Sequence, residues 1–92
     1  MQKILKALSA TPRKEILTLL KKGELTAGEI ASNFNLTDAT ISHHLSVLKD
    51  AGLISDNKRG TFIYYEINTS VMEDLIIWLN SFMEKGENNE EK

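Results

Sequence analysis

Thr26-Ala27-Gly28-Glu29-Ile30-Ala31-Ser32-Asn33-Phe34-Asn35-Leu36-Thr37-Asp38-Ala39-Thr40-Ile41-Ser42-His43-His44-Leu45-Ser46-Val47-Leu48-Lys49-Asp50-Ala51-Gly52 carries two helix-start signals in close succession. Thr26 and Glu29 have the spacing of a capping box, in which each satisfies one orphan backbone donor of the first turn. The short helix that follows turns Ala27, Ile30, Ala31 and Phe34 inward. Asn35-Leu36 makes a tight connection, and Thr37 caps a second helix. Asp38 falls in its first turn, where an acid is favourable toward the helix dipole. Ile41, Leu45 and Leu48 form one apolar stripe, and Gly52 ends the helix. Two capped helices at 26–34 and 38–51, joined this tightly, predict a helix-turn-helix.

The second helix has a distinctive outer face. Opposite its apolar stripe stand Asp38, Ala39, Ser42 and His43, with Thr37 and Thr40 beside them. These side chains are short and mostly polar, as a helix lying close to base edges in a major groove requires. Ala39 can meet a thymine methyl.

Working outward, Gln2 to Leu8 places Ile4, Leu5 and Leu8 at helical spacing. Thr11-Pro12 reads as a cap followed by the residue suited to a first helical position, opening a helix with Ile16, Leu17, Leu19 and Leu20 that ends at Gly23. Beyond Gly52 the period changes. Leu53 to Lys58 and Thr61 to Ile67 are β-rich and flank Arg59-Gly60, which predicts a hairpin. Asn68-Thr69-Ser70 supplies caps for a last helix running to about Lys85. The expected fold is mainly α with a β-hairpin wing: four helices, the hairpin, then the final helix.

That final helix carries Val71, Met72, Leu75, Ile76, Ile77, Trp78, Leu79, Phe82 and Met83 around most of its circumference. Such a helix is normally buried on all sides. A chain of 92 residues buries only about 60 % of its unfolded surface, so one domain core cannot cover it all. A homodimer interface would. Zero Cys excludes disulfides and thiolate metal sites as alternative sources of stability.

Composition is that of a globular chain, 41 % hydrophobic, with no apolar run of membrane-spanning length and no signal peptide. A cytoplasmic protein is expected. One domain over residues 1–85 is followed by an acidic tail at 86–92, expected to be disordered. The net charge of −2 resides in that tail, where Glu87, Glu90 and Glu91 face only Lys92. Residues 1–22 lean the other way, with Lys3, Lys6, Arg13, Lys14, Lys21 and Lys22 against Glu15. Charge alone neither supports nor excludes a nucleic-acid partner.

Thr40-Ile41-Ser42-His43-His44-Leu45-Ser46-Val47-Leu48-Lys49-Asp50-Ala51-Gly52-Leu53-Ile54 resembles the signature of the ArsR/SmtB repressor family. Ala10-Thr11-Pro12-Arg13-Lys14-Glu15-Ile16-Leu17 is similar to that family's opening, and Lys58-Arg59-Gly60 with Tyr64-Tyr65 resembles its wing. The likeness runs from residue 1 to about 83. Within the family, Leu25 to Ala31, Ile41-Ser42-His43-His44-Leu45 and the Ile63-Tyr64-Tyr65 wing are most similar to the SdpR-like autorepressors, which lack a metal site.

The resemblance implies a sequence-specific repressor that binds double-stranded operator DNA at an inverted repeat. It implies contacts from Thr37, Asp38, Ala39, Ser42 and His43, with Thr40 alongside, and phosphate or minor-groove contacts from Lys58 and Arg59. It also implies a homodimer held by the first and last helices, here through Ile4, Leu5, Leu8, Leu75, Trp78, Leu79 and Phe82. The family usually carries Gln or a similar neutral residue where this chain has Asp38. An acid there either accepts from a cytosine N4 donor or serves only as a dipole partner. Relief of repression falls to a protein antirepressor, membrane-bound by the same resemblance, or to autoregulation by concentration.

The family's metal sensors use a Cys pair beside the brace helix, or His and Asp pairs on the last helix. Glu24 to Gly28 has no Cys, and the last helix has Glu73, Asp74 and Glu84 but no His. His43 and His44 are neighbours about 100° apart on one helix and cannot chelate one ion together. No metal, cofactor or thiol sensing site is expected. Nor is an enzyme, since Ser42 has no base with an orienting group at helical spacing, and no Gly-rich phosphate loop occurs. The competing expectation is a protein-interaction module on a winged-helix scaffold, which alanine at Ser42 and His43 would leave unharmed. Arg13 is expected either to pair with a carboxylate or to reach phosphate, and His44 to be partly buried and bonded to backbone. One of Tyr64 and Tyr65 should face inward and the other outward.

Overall fold

The structure, a computed structural model, describes residues 1–84, so Lys85 and the acidic tail at 86–92 lie outside the described residues. Helices α1 (Gln2–Ala7) and α2 (Thr11–Leu19) come first, α2 tightening into a 3-10 turn over Leu20–Lys22. Strand β1 (Leu25–Thr26), helix α3 (Ala27–Ala31) and helix α4 (Asp38–Asp50) follow. Strands β2 (Ile54–Arg59) and β3 (Phe62–Ile67) form the wing, and α5 (Thr69–Ser81) closes the fold. The expected order holds, with β1 as an addition. It pairs antiparallel with β3, Leu25 opposite Tyr65 and Thr26 opposite Tyr64, making a sheet in the order β1-β3-β2.

One buried cluster joins the elements: Ala7, Ile16, Leu20, Ile30, Ile41, Leu45, Leu48, Leu53 and Ile54. The predicted stripe of α4 is all inside. Helix α3 has five residues, far below the length at which an isolated helix is stable in water. What holds it is the capping box at one end and the fully buried Ile30 toward the other, worth about 1.5–3 kcal/mol by burial. Both capping-box bonds form: Glu29 N–H donates to Thr26 Oγ1 at 3.1 Å, and Thr26 N–H donates to Glu29 Oε1 at 2.8 Å.

Helix α4 ends in a Schellman arrangement. Leu53 N–H donates to the Leu48 carbonyl and Gly52 N–H to that of Lys49, with Gly52 at φ +80. Leu48 and Leu53 are both fully buried and complete the accompanying apolar contact. The chain therefore leaves the helix at a fixed angle and enters the wing.

Several boundaries differ from expectation. Ala10, not Thr11, is the N-cap of α2, because the first helical bonds run from Arg13 and Lys14 to the Ala10 carbonyl. The hairpin loop is Gly60-Thr61, not Arg59-Gly60, since Arg59 pairs with Phe62 and Gly60 takes φ +63 at the first loop position. Helix α5 starts on Asn68, whose side chain accepts from Val71 N–H, but it stops at Ser81 rather than near Lys85. Ser81 Oγ donates to the Trp78 carbonyl and Phe82 serves as C-cap.

Only the first half of α5 joins the core. Leu75 is buried, and Val71 and Met72 pack against the cluster. Beyond them Ile76, Ile77, Trp78, Leu79, Phe82 and Met83 are exposed, Phe82 by 67 % and Leu79 by 50 %. Trp78 and Phe82 meet edge to face with centroids 5.0 Å apart. Leu5 on α1 is exposed as well. This is far more open apolar surface than a small solitary domain ordinarily shows.

Candidate nucleic-acid interface

Thr37 closes the start of α4 twice over. Its Oγ1 accepts from Thr40 N–H at 3.2 Å and donates its own proton to Thr40 Oγ1 at 2.9 Å. Thr40 is half-buried, while Thr37, Asp38, Ala39, Ser42 and His43 are exposed. Asp38, Ser42 and His43 make no hydrogen bond or ion pair with the described residues, so their polar atoms are free to meet a partner. Ser46, exposed and one turn beyond Ser42 and His43, continues the same face. Sequence reading passed over it, although its i+4 spacing from Ser42 was the available signal.

Helix α3 braces this face through Ile30 against the α4 stripe. Arg13 braces it from the other side. Its Nε donates to the Ala7 carbonyl at 2.7 Å and its Nη2 to the Lys6 carbonyl at 3.3 Å, while Nη1 meets His44 Nδ1 at 3.1 Å. Of the two expected roles for Arg13, the carboxylate pair does not form among the described residues. Its donors turn instead to the end of α1 and to α4. His44 is half-buried as expected, but its partner is Arg13 rather than backbone. Burial, reinforced by the charge of Arg13 and by His43, pushes the His44 imidazole below its ordinary pKa.

The wing is tied at both ends. Lys49, in the last turn of α4, donates to Asp56 Oδ2 of β2 at 2.9 Å, and that bond raises the Lys49 ammonium pKa. On the opposite sheet face the Arg59 guanidinium lies 3.7 Å from the centre of the Tyr64 ring and ion-pairs with Glu24. Tyr65 packs against the core while Tyr64 lies under Arg59, the division expected of the pair. The two wing cations thus differ. Lys58 is exposed without an ion pair to the described residues, whereas Arg59 is held across the sheet.

The residues expected at a dimer interface fall into three environments. Leu5, Trp78, Leu79 and Phe82 are exposed, Ile4 and Leu8 are partly buried against the core, and Leu75 is already inside the protomer. Among the described residues no three His, Cys, Asp or Glu side chains gather as a metal ion would require. The His43 and His44 ring centres lie 5.8 Å apart, tilted by 52°.

A braced helix with an open polar face and a tethered wing beside it defines a winged helix-turn-helix regulator. Residues 11–56 match the bacterial regulatory protein, arsR family. The chain belongs to the ArsR family. It is 49 % identical to the transcriptional repressor SdpR of Bacillus subtilis (strain 168), over 97 % of this chain and 99 % of that protein. It is 40 % identical to an arsenical resistance operon repressor of Staphylococcus aureus, over 84 % of this chain and 74 % of the other. Among solved structures, an ArsR family transcriptional regulator superposes with a TM-score of 0.85 at 26 % identity, covering 90 % and 91 % of the two chains. HlyU from Vibrio cholerae N16961 gives 0.72 at 29 % identity, over 87 % of each chain. Its relatives are transcriptional regulators and not enzymes.

Proposed function

We propose that this protein is a transcriptional repressor, acting on its own promoter, that binds an inverted-repeat operator as a homodimer and senses neither metal nor thiol. The observation that carries this reading is the exposed start of α4, where Asp38, Ser42 and His43 make no hydrogen bond or ion pair with the described residues. A rigid brace on both sides keeps that face in place for a major groove. The Bacillus subtilis relative, aligned over nearly all of both chains, is named a transcriptional repressor.

The exposed side chains of α1 and α5 support the dimer. Burying Leu5, Leu79 and Phe82 against a second copy removes apolar surface from water, and a twofold would set two α4 helices roughly 34–36 Å apart, one turn of B-DNA. Phosphate contacts from Lys58 and the wing would supply affinity, and the α4 face specificity. The sequence resemblance supports relief by a protein antirepressor, membrane-bound, with autoregulation by concentration as the alternative; repression unchanged after deletion of the neighbouring genes would count against the antirepressor. The site of action is the cytoplasm.

A footprint on the protein's own promoter tests the repressor reading. Protection with dyad symmetry, abolished by Ser42→Ala with His43→Ala, is the expected outcome. Protection without a dyad, or survival of binding in the double variant, would contradict it.

A further inference from the structure

We infer that Asp38 reads a cytosine in each operator half-site, an inference that rests on the DNA-binding reading above. Capping does not account for this side chain, because Thr37 already supplies the cap to α4. Asp38 is exposed and its carboxylate has no hydrogen-bond or ionic partner among the described residues. It stands with Ser42, one turn on, at the mouth of an open groove of about 260 Å³ between α3 and α4. Ala27, Gly28, Ala31, Ile41 and Leu45 line the rest of that groove and offer no side-chain donor.

A bare carboxylate on a helix that approaches DNA is unfavourable beside phosphates unless it accepts a hydrogen bond. The major groove offers two kinds of donor, cytosine N4 and adenine N6. Adenine N6 sits between two acceptors, its own N7 and the thymine O4, and each repels a carboxylate. Cytosine N4 has one acceptor beside it, guanine O6, and a C–H on the other side. An acid in the first turn of α4 therefore selects cytosine, whereas an amide there selects adenine through N6 and N7.

Selection from a duplex library with randomised half-sites, using the full-length protein, tests this. The wild type is expected to enrich one cytosine per half-site that D38A no longer requires, all other enriched positions keeping their bases. D38N, nearly isosteric, is expected to move that position to adenine. Replacing the cytosine should weaken wild-type binding roughly five- to hundredfold and leave D38A binding unchanged. If D38A and D38N enrich the wild-type bases at every position, the inference is overturned and Asp38 serves only the helix dipole. If the wild type itself enriches no sequence, the DNA-binding reading fails first.

Discussion

The guanidinium of Arg13 donates to Nδ1 of His44 at 3.1 Å, joining the start of α2 to the middle of α4. A guanidinium has donors only, so Nδ1 must be the accepting nitrogen and His44 must be neutral. The same Arg13 holds the last carbonyls of α1. One side chain thus ties the first helix to the helix that carries the candidate interface, and a proton on His44 breaks the tie.

The pH dependence follows from the lowered His44 pKa. Below about pH 6.5 the unfolded chain takes up a proton that the folded chain resists. The unfolded state then binds more protons, so stability is full above that pH and falls as pH drops through it. Urea midpoints should decline between pH 7 and pH 5, and His44→Gln should flatten the decline. A decline of equal size in the variant would assign it to other groups.

Arg13→Ala removes three hydrogen bonds at one partly buried site, leaving the Ala7 carbonyl and His44 without that donor. Bonds to a charged group contribute about 1.5–3 kcal/mol, so a loss of about 2 kcal/mol in unfolding free energy is expected. Urea titration checks this. A loss under 0.5 kcal/mol, about the level of an ordinary surface substitution, would show that solvent replaces the bonds.

The wing cations should separate by salt dependence. Lys58→Ala is expected to reduce the slope of log affinity against log salt by about 0.9 per protomer. Glu24→Gln is expected to steepen it, because Arg59 is then released toward phosphate. Steady slopes in Glu24→Gln together with a loss in Arg59→Ala would mean that Arg59 already contacts DNA.

Exposed apolar side chains on α5 make the assembly sensitive to charge. Leu79→Glu alters a half-exposed position outside the protomer core, so the protomer should fold as before. Sedimentation velocity is expected to show a dimer in the wild type and a monomer in the variant. A dimer that survives Leu79→Glu with Phe82→Glu would place the interface elsewhere.

What the sequence made legible is what depends on neighbours. The capping box of Thr26 and Glu29, the cap at Thr37 and the Gly52 stop are all set within a few residues, and each stands where expected. The α4 stripe and the hairpin were equally readable from period and turn residues. Missed features depend on distance along the chain. Strand β1 has two residues, too few to alternate. The Arg13–His44 bond spans 31 positions and the Arg59–Glu24 pair spans 35, so only the folded chain brings them together. The wing loop slipped by one residue because Arg59-Gly60 and Gly60-Thr61 are both plausible turns, and strand pairing decides between them.

Fluorescence anisotropy of the purified protein on its own promoter, against scrambled DNA, at two salt concentrations, is the most direct test of the repressor reading. Tight binding to the promoter alone, weakening as salt rises, is expected. Equal and weak binding to both DNAs would contradict an operator at that promoter.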